Sequence, residues 1–221
     1  MQPAGASAPP PMLFLLTEFA TLDAPWMATG YLRKVLLLVY ANTDTHYPAL
    51  SAERHLARQL LSCGAQIGNR FAHLFTQELN GRHSSPVRSN NVHRLSRRIQ
   101  DHAHDEAAAL ERILGREIPG IQLRGTAFDP ICLAQCLEGA LQGTLELNPL
   151  DKDTVFRSWS GLFAETVRES YIQYIQVLLN GGELAPKAQQ DFVDTVPFSI
   201  GNRRDPPAPR PPLRRPPSRE G

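Results

Sequence analysis

The chain has 221 residues, of which 42% are hydrophobic, and its formal net charge is +1 at pH 7. That length suits one large domain or one domain with tails, and three cysteines are too few to hold a disulfide scaffold together. No apolar run approaches the roughly 20 residues that a transmembrane helix needs, and the short run at 12–16 lacks the flanks of a secretory signal. These features exclude small disulfide-rich and membrane-spanning classes, and we expect a cytoplasmic protein.

The two ends differ in composition from the rest of the chain. Residues 1–11 are rich in Pro, Ala, Gly and Ser, and residues 199–221 are rich in Pro and Arg. From 202 to 221 six arginines stand against two carboxylates, a net charge of +4, which leaves 17 basic and 20 acidic residues elsewhere. We therefore expect disordered segments at 1–11 and 199–221, and one all-helical domain at 12–198.

The first part of this domain has the spacing of amphipathic helices. A short helix is expected at 14–22 and a second at 25–41, with Asp23 near its cap and Pro25 in its first turn. Residues 34–40 fit a buried strand equally well, and only the helical neighbours favour a helix there.

Three more helices are predicted in the middle of the chain. One opens at Ser51 and ends near Cys63, and the next carries an apolar stripe from Ile67 to Leu79. After a polar loop, residues 92–114 are expected to form a single helix with its charged side chains outward. Pro119 and Gly120 then forbid regular structure in the connector at 115–125.

The second half contains the clearest helical pattern of the chain. Asp129 is expected to cap a helix that has Pro130 at its first position. Residues 151–180 are predicted to form one long helix, capped by Asp151, with Gly161 as a close-packing point for a crossing helix. Its apolar face comprises Val155, Phe156, Trp159, Leu162, Phe163, Val167, Tyr171, Tyr174, Ile175 and Leu178.

These elements, with a short last helix at 186–196, define the expected fold. The sequence predicts an all-α protein, a single helical bundle or orthogonal helical array of about seven to eight helices with disordered Pro-rich ends. Whether the aromatic stripe of the long helix lies in the core or in a dimer interface stays open.

One cluster has residue types that bind metal ions. His102 and Glu106 are four residues apart, so on a continuous helix they share a face, and His104 lies between them. Helical di-iron sites need Glu-x-x-His from two helices, and no second helix offers it. His102, His104 and Glu106 are therefore the candidate metal ligands, but a solvated polar face is the favoured interpretation.

A basic stretch precedes this cluster, without any carboxylate before Asp101. Such a stretch could contact phosphate groups or an acidic partner, although no aromatic residues are interleaved to stack on bases. A solvated surface is the favoured alternative. The candidate anion or nucleic-acid contacts are Arg82, Arg88, Arg94, Arg97 and Arg98.

The C-terminal tail contains a Pro-x-x-Pro-x-Arg pattern of the kind that SH3-type grooves bind as polyproline II. Its candidate partner-binding residues are Pro209, Pro212, Arg214 and Arg215. An unstructured solubilising tail is the favoured interpretation.

Other partial motifs point to no catalytic chemistry. Cys132 and Cys136 share a helix face, yet no further ligands follow at zinc or iron–sulfur spacing, so core packing is expected. Residues 115–120 have the glycine spacing of a phosphate loop but lack its Lys. Residues 158–161 resemble half of a nucleophile elbow but lie within a predicted helix. We predict no cofactor.

The segment from Phe128 to Leu141, FDPICLAQCLEGAL, resembles one family. It is similar to an Asn-Pro-Leu-x-Pro-x-x-Leu-Cys-x-Ala-Phe-x-x-Ala-Leu segment of a large bacterial family of unknown function, often mislabelled thymidine phosphorylase. Residues 163–186 resemble that family's next helix. The resemblance implies a bacterial, cytoplasmic, helical protein of regulatory or scaffolding type, and it assigns no catalytic residue.

Three hypotheses for function follow. The first is a non-enzymatic helical protein-interaction protein, whose partner is another protein and which could form a homo-oligomer. The second is a metal- or small-molecule-binding helical protein that uses the face of His102, His104 and Glu106. The third and weakest is a nucleic-acid-associated protein that uses the basic segments.

Overall fold

The computed structural model describes residues 11–41, 49–82 and 89–181, and these residues contain eight α-helices and no strand. The all-α prediction is therefore confirmed, and residues 34–40 are helical. The predicted end segments (apart from Pro11, which begins the first helix) and the predicted helix at 186–196 lie outside the described residues. The helices are α1 (Pro11–Ala41), α2 (Ala49–Ser62), α3 (Gly64–Leu79), α4 (Asn90–His102), α5 (His104–Leu114), α6 (Pro130–Gln142), α7 (Pro149–Asp153) and α8 (Ser160–Leu179).

Helix α1 is one element where the sequence predicted two. Pro25 lies inside it, and Asp23 is a buried residue of the helix rather than a cap. A proline within a helix removes one backbone hydrogen bond and costs about 3 kcal/mol. The burial of a continuous face on both sides of Pro25 outweighs that cost. Its members are Leu16, Ala20, Ala24, Met27, Ala28, Tyr31, Val35 and Val39.

The predicted helix at 92–114 is divided at Ala103 into α4 and α5. Ala103 has φ −114° and ψ 19°, outside the helical region, while Ser89 caps the start of α4 by accepting from the backbone N–H of Val92. Helix α4 packs against both α6 and α8, whereas α5 packs mainly against α8. Because Ala103 is itself buried, tertiary packing overrides the helical preference of this stretch.

The predicted long helix at 151–180 is also interrupted. Asn148, not Asp151, caps its start, and the side chain of Asn148 accepts from the backbone N–H of Asp151 at 2.9 Å. A π-helical turn follows at Thr154–Ser158, closed by the bond from Trp159 N to Thr154 O at 3.2 Å. A wider turn of this kind shifts the positions that face the core.

The apolar stripe of this segment lies in the core of the chain. Trp159, Phe163, Tyr171 and Tyr174 are buried, and Phe71 of α3 meets Phe163 edge-on with ring centroids 6.0 Å apart. The choice between core and dimer interface is thus resolved in favour of the core. No described helix combines the length and the hydropathy that a membrane span requires.

One local prediction is confirmed and another is wrong, and two glycines with positive φ end helices. Asp129 caps α6 by accepting from the backbone N–H of Ile131 at 3.0 Å, and Gly81 and Gly181 have positive φ where helices end. Gly161 was expected at a close helix crossing, but a Cβ added there would meet nothing within 4 Å. Close approaches lie at other glycines, among them Gly68, where an added Cβ would lie 3.2 Å from the carbonyl oxygen of Pro25.

Candidate interaction surface

Helix α1 lies between α3 on one side and α8 on the other. On the α3 side, Gly68 approaches Thr29 and Pro25, and on the α8 side Gly30 approaches Thr166. The ammonium group of Lys34 also binds Glu169 of α8 at 2.7 Å. These contacts fix which face of α1 is left outward.

The outward face of α1 carries a row of large apolar side chains. Leu22 is 72% exposed, Leu37 is 58% exposed and Trp26 is 39% exposed. Together with Thr29 and Arg33 they recur at spacings of four, three, four and four residues, which places them along one face of the helix. We call Leu22, Trp26, Thr29, Arg33 and Leu37 the α1 ridge.

The charged side chains near the two ends of the ridge have opposite sign. Glu18 is exposed one turn before Leu22, whereas Arg33 lies within the second half of the ridge. Beyond Leu37, the hydroxyl of Tyr40 accepts a hydrogen bond of 2.9 Å from Arg58 of α2. Among the described residues no carboxylate forms an ion pair with Arg33. An exposed acidic residue therefore precedes the ridge, and basic residues lie in and beyond its second half.

A buried polar pair holds α1 against α8 beneath the ridge. The hydroxyl of Tyr174 donates to the carboxylate of Asp23 at 3.0 Å. Burial raises the pKa of Asp23 above its ordinary value, and hydrogen bonds from Ser170 and Tyr174 offset part of that effect. Asp23 is thus a structural carboxyl group, enclosed by α8 and unable to reach a ligand in solvent.

The three candidate metal ligands are not brought together. His102 ends α4, where its Nδ1 lies 3.1 Å from the carbonyl oxygen of Arg98, and the break at Ala103 separates it from Glu106 on α5. Glu106 accepts a hydrogen bond of 2.7 Å from Arg168. Within 11–41, 49–82 and 89–181, no group of three or more His, Cys, Asp and Glu side chains could hold a metal ion.

Part of the basic stretch forms an exposed face of α4. Arg94, Arg97 and Arg98 are exposed there, and Arg94 pairs with Asp153 at 3.6 Å. Arg82 is exposed after the end of α3, while Arg88 lies outside the described residues. The tail candidates Pro209, Pro212, Arg214 and Arg215 also lie outside them.

An open groove of about 710 Å³ runs between α3 and the end of α6. Gln66, Asn69, Arg70 and His73 line it on the α3 side. Arg70 donates to the carbonyl oxygen of Gly139 at 3.3 Å, so its guanidinium group is occupied at the C-terminal end of α6. This contact gives Arg70 a structural role. The other lining residues do not form a cluster of charged groups that would bind a ligand.

The cysteines have the environment that the sequence predicted. Cys132 and Cys136 are buried free thiols, and Cys63 is a half-buried free thiol. The neighbouring Cys136 thiol, together with burial, raises the pKa of Cys132. A thiol that resists ionisation is a poor nucleophile and a poor metal ligand.

The α1 ridge was not predicted from the sequence, because two separate helices were expected at 14–22 and 25–41 and Leu22 was therefore separated from the other ridge residues. The spacing Leu22-x-x-x-Trp26 and Arg33-x-x-x-Leu37 was visible in the sequence, but it becomes one row only in a continuous helix. Comparisons of the chain with protein families, with curated proteins and with solved structures found no match. The family resemblance of residues 128–141 stays a prediction.

Proposed function

We propose that this protein is a non-enzymatic helical protein-interaction protein, of a regulatory or scaffolding kind, which binds its partner through the α1 ridge. The observation that carries the proposal is the exposure of Leu22 and Leu37 on the outward face of a helix whose opposite face is buried. Large apolar side chains aligned on one exposed helix face are typical of surfaces that receive another helix.

The anchoring of α1 supports this proposal. Asp23 and Lys34 bind residues of α8, and α3 packs closely at Gly68. A surface held in place before binding loses little conformational entropy when a partner docks. The ridge therefore has the rigidity that binding surfaces on helices need.

The test compares two leucines of nearly equal exposure. A photo-crosslinking amino acid is placed at Leu22 in one variant and at Leu150 of α7, which is 71% exposed, in another. Both are expressed in the native cells and irradiated. We expect a discrete protein adduct at position 22 and none at position 150. The same adducts at both positions, or none at either, would contradict the proposal.

The exposed face of α4 supports a weaker alternative, an association with nucleic acid. Arg97 and Arg98 point to solvent and form no ion pair with any described carboxylate. Binding through such arginines releases counterions, so it must weaken steeply with added salt. Two results would favour this alternative. The wild type is retained on duplex DNA at low salt but not at moderate salt, and Arg97→Glu is retained less than the wild type at low salt.

A further inference from the structure

At the C-terminal end of α1, two arginines flank two large exposed side chains. Leu37 is 58% exposed and Tyr40 is 36% exposed. Arg33 lies one turn before Leu37, and Arg58 of α2 donates to the hydroxyl of Tyr40 at 2.9 Å. We call Arg33, Leu37, Tyr40 and Arg58 the C-terminal patch of α1.

The arginines of this patch are not neutralised by the carboxylates beside it. Glu165 and Glu169 of α8 lie next to this part of α1, and both bind the ammonium group of Lys34, at 3.4 Å and 2.7 Å. Neither arginine of the patch forms an ion pair with a described carboxylate. The C-terminal patch therefore carries two positive charges beside exposed apolar surface.

We propose that the C-terminal patch of α1 binds an acidic amphipathic helix of a partner protein. Apolar side chains of that helix pack on Leu37 and Tyr40, and its carboxylates bind the two arginines. This inference rests on the proposed function, because it names the chemistry of the partner that the α1 ridge binds. Arg binds a carboxylate through two parallel hydrogen bonds, so the pairing is directional as well as attractive.

The positions of the two arginines predict the spacing of the partner's carboxylates. Arg33 and Tyr40, the residue that Arg58 contacts, are seven residues apart on α1. That separation is about 10 Å along the helix axis. Two carboxylates seven residues apart on a partner helix span the same distance, and the residues three and four positions into that interval share their face. We therefore expect acidic residues at i and i+7 of the partner helix, with apolar residues at i+3 and i+4.

The C-terminal patch is held in position from beneath. Val35 and Val39 of α1 are buried, and α1 packs against α2, α3 and α8. The hydrogen bond between Arg58 and Tyr40 also restrains these two side chains. A surface that is ordered before binding loses little conformational entropy when a partner docks. Arg and Tyr are, in addition, enriched where protein interfaces bury most of their binding energy.

An anionic membrane fits this patch less well than an acidic helix does. Segments that bind anionic lipid carry clusters of roughly four to eight basic residues. The C-terminal patch has two arginines, one on either side of an apolar centre, and Lys34 next to them is already paired with α8. Two discrete carboxylates match this arrangement.

The charge preference is tested by fluorescence anisotropy with the full chain. The acidic probe is a labelled helical peptide with glutamates at i and i+7 and leucines at i+3 and i+4, and the basic probe has lysines in place of the glutamates. We expect the acidic probe to bind with a dissociation constant below about 1 mM and at least about tenfold more tightly than the basic probe. Leu37→Ala should weaken its binding by at least about fivefold.

A reversal of charge separates recognition at the patch from attraction to the whole molecule. When Arg33→Glu and Arg58→Glu are combined, the basic probe should bind more tightly than the acidic one. The matched control combines Arg116→Glu and Arg124→Glu, since both residues are exposed in the connector between α5 and α6. The control changes the net charge equally and should keep the preference for the acidic probe.

Four results would overturn the inference. The first is no binding of the acidic probe to the wild type up to about 1 mM. The second is equal binding of the acidic and basic probes, and the third is an equal loss of preference in the control pair. The fourth is binding of the wild type to vesicles of anionic lipid without binding of the acidic probe, because the occupant of the patch is then a membrane surface.

The two proposals fail in distinguishable ways. If the photo-crosslinker at Leu22 captures a protein but the acidic probe has no preference for the C-terminal patch, the α1 ridge stands as an interaction surface and the chemistry of its partner is wrong. If no adduct forms at Leu22 but the acidic probe binds as expected, the patch alone binds the partner and the proposed ridge is wrong. If neither binds, both proposals are wrong.

Discussion

The hydroxyl of Tyr174 on α8 donates a 3.0 Å hydrogen bond to the carboxylate of Asp23, which lies buried in α1 one turn from Trp26. A carboxyl group at that depth is unfavourable when ionised, and burial accordingly raises its pKa. The pair therefore links the position of the ridge helix to a titratable group in the core.

Replacement of Asp23 by Asn is expected to stabilise the protein in a pH-dependent way. In the unfolded chain the carboxyl group ionises near its ordinary pKa of 3.8, and in the folded protein it ionises at higher pH. The folded state binds more protons between those values, so the contribution of Asp23 to stability falls as pH rises through that window and then becomes constant. The side chain of Asn does not ionise, so Asp23→Asn does not lose stability as the pH rises. Its amide oxygen can still accept the hydrogen bond from Tyr174.

Urea unfolding of the wild type and Asp23→Asn between pH 4 and pH 8 measures this effect. We expect the variant to gain about 1 to 3 kcal/mol in free energy of unfolding at the upper end of the range, and less at pH 4. A difference that does not change with pH would show that Asp23 is not the group concerned.

Two buried tyrosines are expected to respond oppositely to the loss of their hydroxyl groups. The Tyr31 hydroxyl is buried without a hydrogen-bond partner, whereas the Tyr171 hydroxyl donates to the carbonyl oxygen of Phe128. Tyr31→Phe should raise the free energy of unfolding by up to about 1 kcal/mol, because it removes an unsatisfied polar group. Tyr171→Phe should lower it by about 1 to 2 kcal/mol. Equal effects in thermal unfolding would contradict this.

Two glycines within helices differ in the space that an added side chain would enter. An added Cβ at Gly68 would lie 3.1 Å from the Thr29 methyl group and 3.2 Å from the backbone oxygen of Pro25. Gly68→Val is therefore expected to destabilise by about 1 to 3 kcal/mol, because backbone cannot move aside cheaply. Gly161→Ala enters open space and should be neutral or stabilise by up to about 1 kcal/mol. Calorimetry on both variants would reveal any reversal of this order.

The sequence predicted the elements whose signals are local. Asp129 and Pro130 at the start of α6 act through their own backbone geometry, so one segment suffices to recognise them. Pro25 misled the prediction because its local cost is outweighed by a buried face formed with α3 and α8. Ala103 carried no signal at all, since alanine is the best helix former and only packing explains the break.

The candidate surface was harder to predict than the core. Burial follows from spacing, whereas the outward face of α1 depends on which neighbours cover its other sides. From the sequence alone, Leu22 and Leu37 cannot be distinguished from core positions. The contacts of α1 with Gly68 of α3 and of Lys34 with α8 show that the two leucines face away from the core. An interaction surface of this kind requires the tertiary structure.

Loss of the Ser89 hydroxyl is expected to weaken two helices at once. Ser89 Oγ accepts from Val92 N at 3.1 Å and donates to the buried carboxylate of Glu138 at 2.7 Å. Ser89→Ala should cost about 2 to 3 kcal/mol, because the cap is lost and Glu138 retains only Gln142 as a described side-chain donor. Ser96→Ala is the control, since Ser96 bonds only to a carbonyl of its own helix. It should change the unfolding midpoint in urea by little.

Purified protein is expected to carry no stoichiometric metal after dialysis. The break at Ala103 separates His102 from Glu106, and Arg168 already occupies the Glu106 carboxylate at 2.7 Å. Burial acts to raise the pKa of Glu106, but the hydrogen bond and charge of Arg168 outweigh it and lower the pKa. A carboxylate held by Arg must give up that pair before it can ligate a cation.

Elemental analysis of wild type, His102→Ala and Arg168→Ala measures this directly. The first two should bind less than about 0.1 metal ion per chain from a zinc or iron buffer, because a lone imidazole at the end of α4 is a weak ligand. Arg168→Ala frees the Glu106 carboxylate, so among the three proteins it is the one in which metal binding is most readily detected. It should still bind well below one metal ion per chain, since His102 lies on a different helix from Glu106. One ion per chain in the wild type that disappears in His102→Ala would contradict this prediction and favour the metal hypothesis over the proposed interaction surface.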